Sequence, residues 1–255
     1  MSDRCRHFLA LLLCFASGMA WSAGVQVADS PLAQARQLVL VRAADWSSTS
    51  GTLQLFHRSE TSFAWQPFGA PVKVSLGRNG LAWGRGRHGS LAAQGPVKRE
   101  GDGRAPAGVF DLTMLFGYLE PRSLAVRTAR MPYLEATPDL LCVDDAASSR
   151  YNRIIHRSQQ GVQDWKSHED MLRPDGLYAW GAFIAHNTEP AQPAAGSCIF
   201  LHVWEAEGVP TSGCTAGAAT DIARIFLWLE SKASPVIVQL PESEYTSLQK
   251  QWNLP

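Results

Sequence analysis

Short runs of alternating apolar and polar residues, separated by turn-forming residues, dominate the first third of this chain. A period of two is typical of β-strands with one buried face, and the Gly-, Pro- and Ser-containing stretches between the runs are typical of turns. The pattern predicts a meandering antiparallel sheet with strands at residues 37–42, 52–57, 63–68 and 72–76. Further strands are predicted at residues 108–112, 153–156, 181–186, 197–204 and 236–240.

Only one stretch has the spacing of an amphipathic helix. Its apolar residues recur at i, i+3, i+4 and i+7, and they are Ala219, Ile222, Ala223, Phe226 and Leu229. The chain is therefore expected to be mostly β, with one principal helix shortly after Cys214. Residues 77–108 contain nine glycines and little periodicity, which predicts an extended surface loop. Residues 242–255 are expected to form a C-terminal tail.

The N-terminal 22 residues have the pattern of a cleaved export signal. Arg4 and Arg6 precede an apolar run at residues 8–16, and Ala20 and Ser22 are small residues that suit cleavage after Ser22. The run is short for a membrane span, although an uncleaved anchor is the alternative. We expect a periplasmic or secreted protein.

The balanced charge argues against nucleic-acid binding, and the cysteine count indicates a free thiol or an intermolecular bridge. The 23 basic and 23 acidic residues balance, so no overall positive field attracts nucleic acid. After cleavage three cysteines remain, and in an oxidising compartment an odd number leaves a thiol or an intermolecular bridge. Cys142 and Cys198 are expected to pair or to stay buried. A zinc site made of Cys198, Cys214, His186 and His202 is an alternative, although no metal-binding spacing supports it.

The segment from His202 to Cys214 contains what a thiol nucleophile requires. Such a thiol needs a base, a setting that favours the thiolate, and donors for the developing oxyanion. His202 ends a predicted strand and could be the base. Cys214 precedes the predicted helix, whose dipole is expected to lower the pKa of the thiol. Ser212 and Gly213 could supply backbone N–H donors.

This arrangement resembles the catalytic segment of the L,D-transpeptidases (YkuD-type), in which a His at a strand end precedes Ser-x-Gly-Cys. Thr211–Ser212–Gly213–Cys214 matches that motif, and residues 98–110 resemble the Lys…Thr-Pro-x-Gly-x-Phe segment of the family. The resemblance covers roughly residues 70–240. It implies a β-sandwich or barrel-like catalytic domain at residues 71–241, with residues 23–70 as strands that pack on it or lead into it.

The resemblance further implies a cysteine acyltransferase that forms a thioester on Cys214 with peptidoglycan stem tetrapeptides. It implies no cofactor and no metal, and we expect a monomer. This sequence departs from the family in lacking an Arg soon after the cysteine, in its bulky Trp204, and in an insertion-like stretch at residues 164–178. Candidate substrate contacts are His186, Asn187, Trp204 and Arg173. A hydrolase, acting as a carboxypeptidase or endopeptidase, and a non-catalytic wall-binding protein remain open alternatives.

Overall fold

A closed β-barrel forms the body of the molecule. The computed structural model describes residues 30–62, 64–89 and 95–255. Eight strands follow one another around the barrel in the order β10-β11-β12-β3-β2-β1-β13-β5, and β5 pairs with β10 to close it. They are β1 (Gln37–Ala43), β2 (Ser50–His57), β3 (Gln66–Ser75), β5 (Ala105–Gly117), β10 (Trp180–Ile184), β11 (Phe200–Val203), β12 (Thr215–Gly217) and β13 (Val236–Pro241). The mostly β prediction is confirmed.

Two of the pairings around the barrel are parallel, and the others are antiparallel. β1 lies parallel to β13, and β11 lies parallel to β12. The short strands β4 (Leu81–Trp83) and β6 (Tyr133–Glu135) each pair with β5, outside the closed path. Because β3 is continuous from residue 66 to residue 75, the two strands predicted at 63–68 and 72–76 are one, although residue 63 lies outside the described residues. The boundary predicted at residue 70 falls inside this strand.

A small second sheet stands beside the barrel. It has the order β8-β7-β9 and consists of β7 (Leu140–Val143), β8 (Arg153–His156) and β9 (His168–Asp170). A disulfide between Cys142 of β7 and Cys198, just before β11, ties this sheet to the barrel. Of the two alternatives left open for these cysteines, a disulfide or burial as free thiols, the structure shows the disulfide. We call residues 137–178, which contain this sheet and the turns after it, the side lobe.

The predicted helix is present as α2 (Ala219–Trp228), and its buried face packs against the barrel through Ile222, Ile225 and Phe226. The other α-helices of the described residues are α1 (Leu124–Thr128) and α3 (Glu242–Trp252). The prediction of a C-terminal tail was wrong, because α3 buries an apolar face on the barrel that consists of Tyr245, Leu248 and Trp252. No helix in the described part of the chain has the length and apolar character to cross a membrane.

The glycine-rich segment 77–108 is more ordered than an extended loop. It contains β4 and the first residues of β5 within its described part. Lys98 in this segment is buried and forms an ion pair with Asp102 at 2.5 Å. The predicted signal peptide, residues 1–22, lies outside the described residues.

Candidate active site

A tight turn places Cys214 immediately before β12. The Thr211 hydroxyl donates to the Cys214 carbonyl oxygen at 2.7 Å and accepts a hydrogen bond from the Gly213 N–H at 3.1 Å. Gly213 has a φ of +148°, and a Cβ at this position would lie 3.1 Å from the carbonyl oxygen of Arg104. The turn therefore requires glycine. It packs on Arg104, which belongs to residues 98–110, the second segment that resembles the L,D-transpeptidases.

The Cys214 thiol is buried, with only 8% of the residue exposed. The Phe200 N–H donates to Sγ at 3.3 Å, and Sγ lies 3.7 Å from the Cys198 carbonyl oxygen. Burial raises the pKa of the thiol to about 12, and the nearby Glu169 carboxylate acts in the same direction. The expected lowering by a helix dipole was wrong, because β12 separates Cys214 from α2.

His202 lies on β11, where its ring packs edge-on against Tyr178 with 5.1 Å between the ring centroids. Its Nδ1 is 2.7 Å from the Val203 carbonyl oxygen, which can only accept, so Nδ1 carries the proton. Nε2 therefore keeps a lone pair. Burial lowers the pKa of His202 to about 4, so the imidazole is neutral at pH 7. Among the described residues, no hydrogen bond joins His202 to Cys214.

Tyr178 connects the side lobe to both candidate catalytic residues. It belongs to the same buried cluster as Cys214, and its hydroxyl donates to the Glu169 carboxylate at 2.6 Å. The Arg173 guanidinium lies over the Tyr178 ring at 5.1 Å and forms a fork with Asp175. The predicted candidate Arg173 thus lies beside the site, on the insertion-like stretch.

Glu169 was missed by sequence reasoning. A carboxylate on a short strand has no local signal, and only the side lobe's packing brings it to the cysteine. Burial raises the pKa of Glu169. The positive charges of Lys98 and Arg173 favour the Cys214 thiolate, but they lower its pKa by less than burial raises it.

The two predicted oxyanion donors differ in their availability. The Gly213 N–H is already bonded to Thr211, whereas the N–H groups of Ser212 and Cys214 donate to no described residue. The Ser212 hydroxyl accepts a hydrogen bond from Arg78 at 3.1 Å. Backbone donors at 212 and 214, rather than at 213, are therefore free to bind a developing oxyanion.

His186 and Asn187 do not form a substrate surface, contrary to expectation. The His186 ring is fully buried, with Nε2 donating to the Ala195 carbonyl oxygen at 3.0 Å and Nδ1 accepting from the Arg85 N–H. The Asn187 side chain bonds to the backbone of Gln192 and Gly196. Both residues hold the loop at residues 188–196 from its buried side. Trp204 follows β11 and is half-buried, so it stays a candidate contact.

The disulfide removes Cys198 from the alternative zinc set, because a disulfide sulfur is not a thiolate ligand. Cys214 is the free cysteine of the described chain. Within residues 30–62, 64–89 and 95–255, no group of three or more His, Cys, Asp or Glu side chains is placed to hold a metal ion.

We expect Cys214 to react slowly with iodoacetamide near neutral pH. With a pKa of about 12, the folded thiol at pH 8 should be alkylated about 10³-fold more slowly than in the unfolded chain, where a thiol pKa is about 8.5. The rate should rise about tenfold per pH unit as long as the fold persists. Intact-mass measurements on non-reduced protein, native and in urea, check this. A native rate that levels off below pH 8 would show that the thiol is already activated.

The site therefore combines a buried, protonated thiol and a buried, neutral imidazole with two unoccupied N–H donors, of the exposed Ser212 and of Cys214, and with the nearby positive charges of Lys98 and Arg173. These groups can support acyl transfer through sulfur once an acyl donor reaches Sγ. Comparisons of this chain with protein-family models, with curated proteins and with solved structures find no match.

Proposed function

We propose that this chain is a cysteine acyltransferase of the L,D-transpeptidase type, acting on peptidoglycan stem tetrapeptides. The observation that carries the proposal is the position of Cys214. It is a free thiol in a buried cluster that also contains Tyr178, whose ring packs against the neutral His202. The N–H groups of residues 212 and 214 beside it are unoccupied. These groups supply the nucleophile, the base and the oxyanion donors of thioester formation, whereas a setting that favours the thiolate is not present while Sγ is covered.

In the proposed reaction, His202 Nε2 takes the thiol proton as Sγ attacks the carbonyl carbon of the L-centre of diaminopimelate. The oxyanion of the tetrahedral intermediate accepts hydrogen bonds from the N–H groups of Ser212 and Cys214. Collapse breaks the peptide bond, and the imidazolium gives its proton to the departing D-alanine amine. An amine of a neighbouring stem then attacks the thioester and regenerates the thiol. Water in place of the amine gives the hydrolase alternative.

The burial of the Cys214 thiol determines when this reaction can occur. Because Sγ is covered and its pKa is about 12, thiolate formation in the closed state is strongly unfavourable. A substrate reaches Sγ only when the covering side chains move. Tyr178 of the side lobe lies in the same buried cluster as Cys214, and the Glu169 carboxylate of the same lobe raises the pKa of the thiol. Displacement of the side lobe would therefore both admit a substrate and hydrate the thiol.

A non-catalytic wall-binding domain is the second candidate function. Two observations favour it: the thiol pKa is raised rather than lowered, and no hydrogen bond joins Cys214 to His202 among the described residues. Such a protein would bind stem peptides without forming a covalent intermediate.

Intact-mass spectrometry with a carbapenem separates the two candidates, because thiol transpeptidases are acylated by that class of compound. We expect one adduct per chain, formed slowly because Sγ is buried, and no adduct on Cys214→Ala. The pair Cys142–Cys198 is oxidised and gives no background. An adduct that persists in Cys214→Ala, or no adduct after prolonged incubation at raised temperature, would count against the acyltransferase.

A further inference from the structure

The outer edge of β8 has no strand partner in the described chain. β8 pairs with β7 alone, while β7 pairs on its other side with β9. The backbone N–H of Arg157, just after β8, donates to the Asp139 carbonyl oxygen, just before β7. Along an antiparallel strand every second residue forms such bonds with the partner strand, so Arg157 and Ile155 face β7. The N–H and the C=O of Ile154 therefore point to the outer edge of the sheet, where neither has a described partner. Such an edge is a template for another strand.

A groove of about 640 Å³ lies beside this edge. One wall consists of Arg153, Ile154 and Ile155 of β8, and the opposite wall includes Met114 of β5 and Phe183 of β10. The groove thus offers the N–H and C=O groups of Ile154 on one side and apolar surface on the other. The next outward carbonyl of β8, that of His156, accepts a hydrogen bond from Gln160 at 3.3 Å. An extended peptide presents its side chains alternately to two faces, which suits a slot of this kind.

The charged side chains that line the groove are all positive. Its lining residues include the guanidinium groups of Arg150 and Arg153 and no carboxylate. Arg150 is bonded to Gln160 and forms an ion pair with Asp164 at 3.6 Å, whereas the exposed Arg153 side chain makes no ion pair or hydrogen bond with a described residue. The opposite edge of the same sheet, β9, carries Glu169 and Asp170 instead. The β8 edge is therefore the one suited to an anionic ligand.

We propose that the β8 edge binds an extended peptide that carries carboxylate side chains, which adds to the second sheet as a fourth strand. Main-chain hydrogen bonds to Ile154 give the peptide its direction, and Arg153 pairs with a carboxylate as a charge-assisted fork. This site is separate from the Cys214 chemistry and does not depend on it.

Fluorescence anisotropy with a labelled, end-blocked Val-Glu-Val-Glu-Val peptide tests the proposal on the full chain. We expect saturable binding, and we expect Arg153→Glu to weaken it about tenfold or more. Arg127→Glu is the matched control, since Arg127 is an exposed arginine of α1 away from the groove. Equal affinity of the two variants would overturn the proposal.

Two further measurements test the strand addition itself without relying on a variant. A peptide that is N-methylated at alternate residues should lose binding, and the Ile154 amide should become protected from hydrogen exchange when the unmodified peptide binds. Binding of the N-methylated peptide with unchanged affinity, or an Ile154 amide that exchanges as fast as before, would overturn the proposal. Cys214→Ala should bind the peptide normally, so failure of the proposed acyltransferase would leave this result intact.

Discussion

Replacement of Cys214 by Ala is expected to abolish turnover of a purified tetrapeptide muropeptide. The substitution removes the only group in the proposed reaction that can bear the acyl chain, so the rate should fall by about 10³-fold or more. Release of D-alanine and formation of crosslinked or trimmed product, both followed by mass spectrometry, measure the effect. Turnover that survives the substitution would remove Cys214 as the nucleophile.

His202→Gln is the informative comparison for this experiment. Glutamine keeps a polar side chain on β11 but cannot take the thiol proton, so we expect the acylation rate to fall by about 10²- to 10⁴-fold. Thermal unfolding of both variants must stay close to that of the parent protein, which separates a lost catalytic group from a damaged fold. An unchanged acylation rate in His202→Gln would show that another group serves as the base.

Removal of the disulfide is expected to lower the free energy of unfolding by about 4 kcal/mol. Cys142 and Cys198 are 56 residues apart, and a loop of this size gives that magnitude from the lost restriction of the unfolded chain. Chemical denaturation of the Cys142→Ala/Cys198→Ala double variant measures it. Because the bond ties β7 to the barrel beside Cys214, the same variant should show faster alkylation of the thiol. A stable variant with unchanged alkylation would show that packing alone holds the side lobe.

The local pattern predicted the elements of the barrel better than it predicted their arrangement. Alternation identified β2, and helical spacing identified α2, because each pattern reflects one buried face. Short, nearly continuous apolar runs identified β1 and β13, which are buried along almost their whole length. Closure of the barrel depends on pairings such as β5 with β10, which leave no local signal. In α3 the buried residues Tyr245, Leu248 and Trp252 are separated by polar and charged residues only, so the sequence indicates this helix much more weakly than α2.

The sequence pointed to Cys214 and His202, but not to Glu169 and Tyr178 beside them or to the electrostatics of the site. Cys214 and His202 lie in one buried layer, yet the expected helix dipole does not reach the thiol, because Thr215–Gly217 forms β12 first. Burial is the dominant influence on both pKa values, and it arises from Phe200, Tyr178 and the side lobe. His186 illustrates the same limit, since a histidine at the end of a strand can face a cleft or the interior.

The parallel pairing of β1 with β13 has a consequence for folding kinetics. Leu38 lies beside Val236, so the barrel closes between strands from nearly opposite ends of the described chain. A contact of such sequence separation forms late, because the intervening chain must lose its freedom before the pairing stabilises it. During synthesis β1 has no parallel neighbour until β13 has been made. The barrel should therefore fold slowly, and only after β13 has been synthesised.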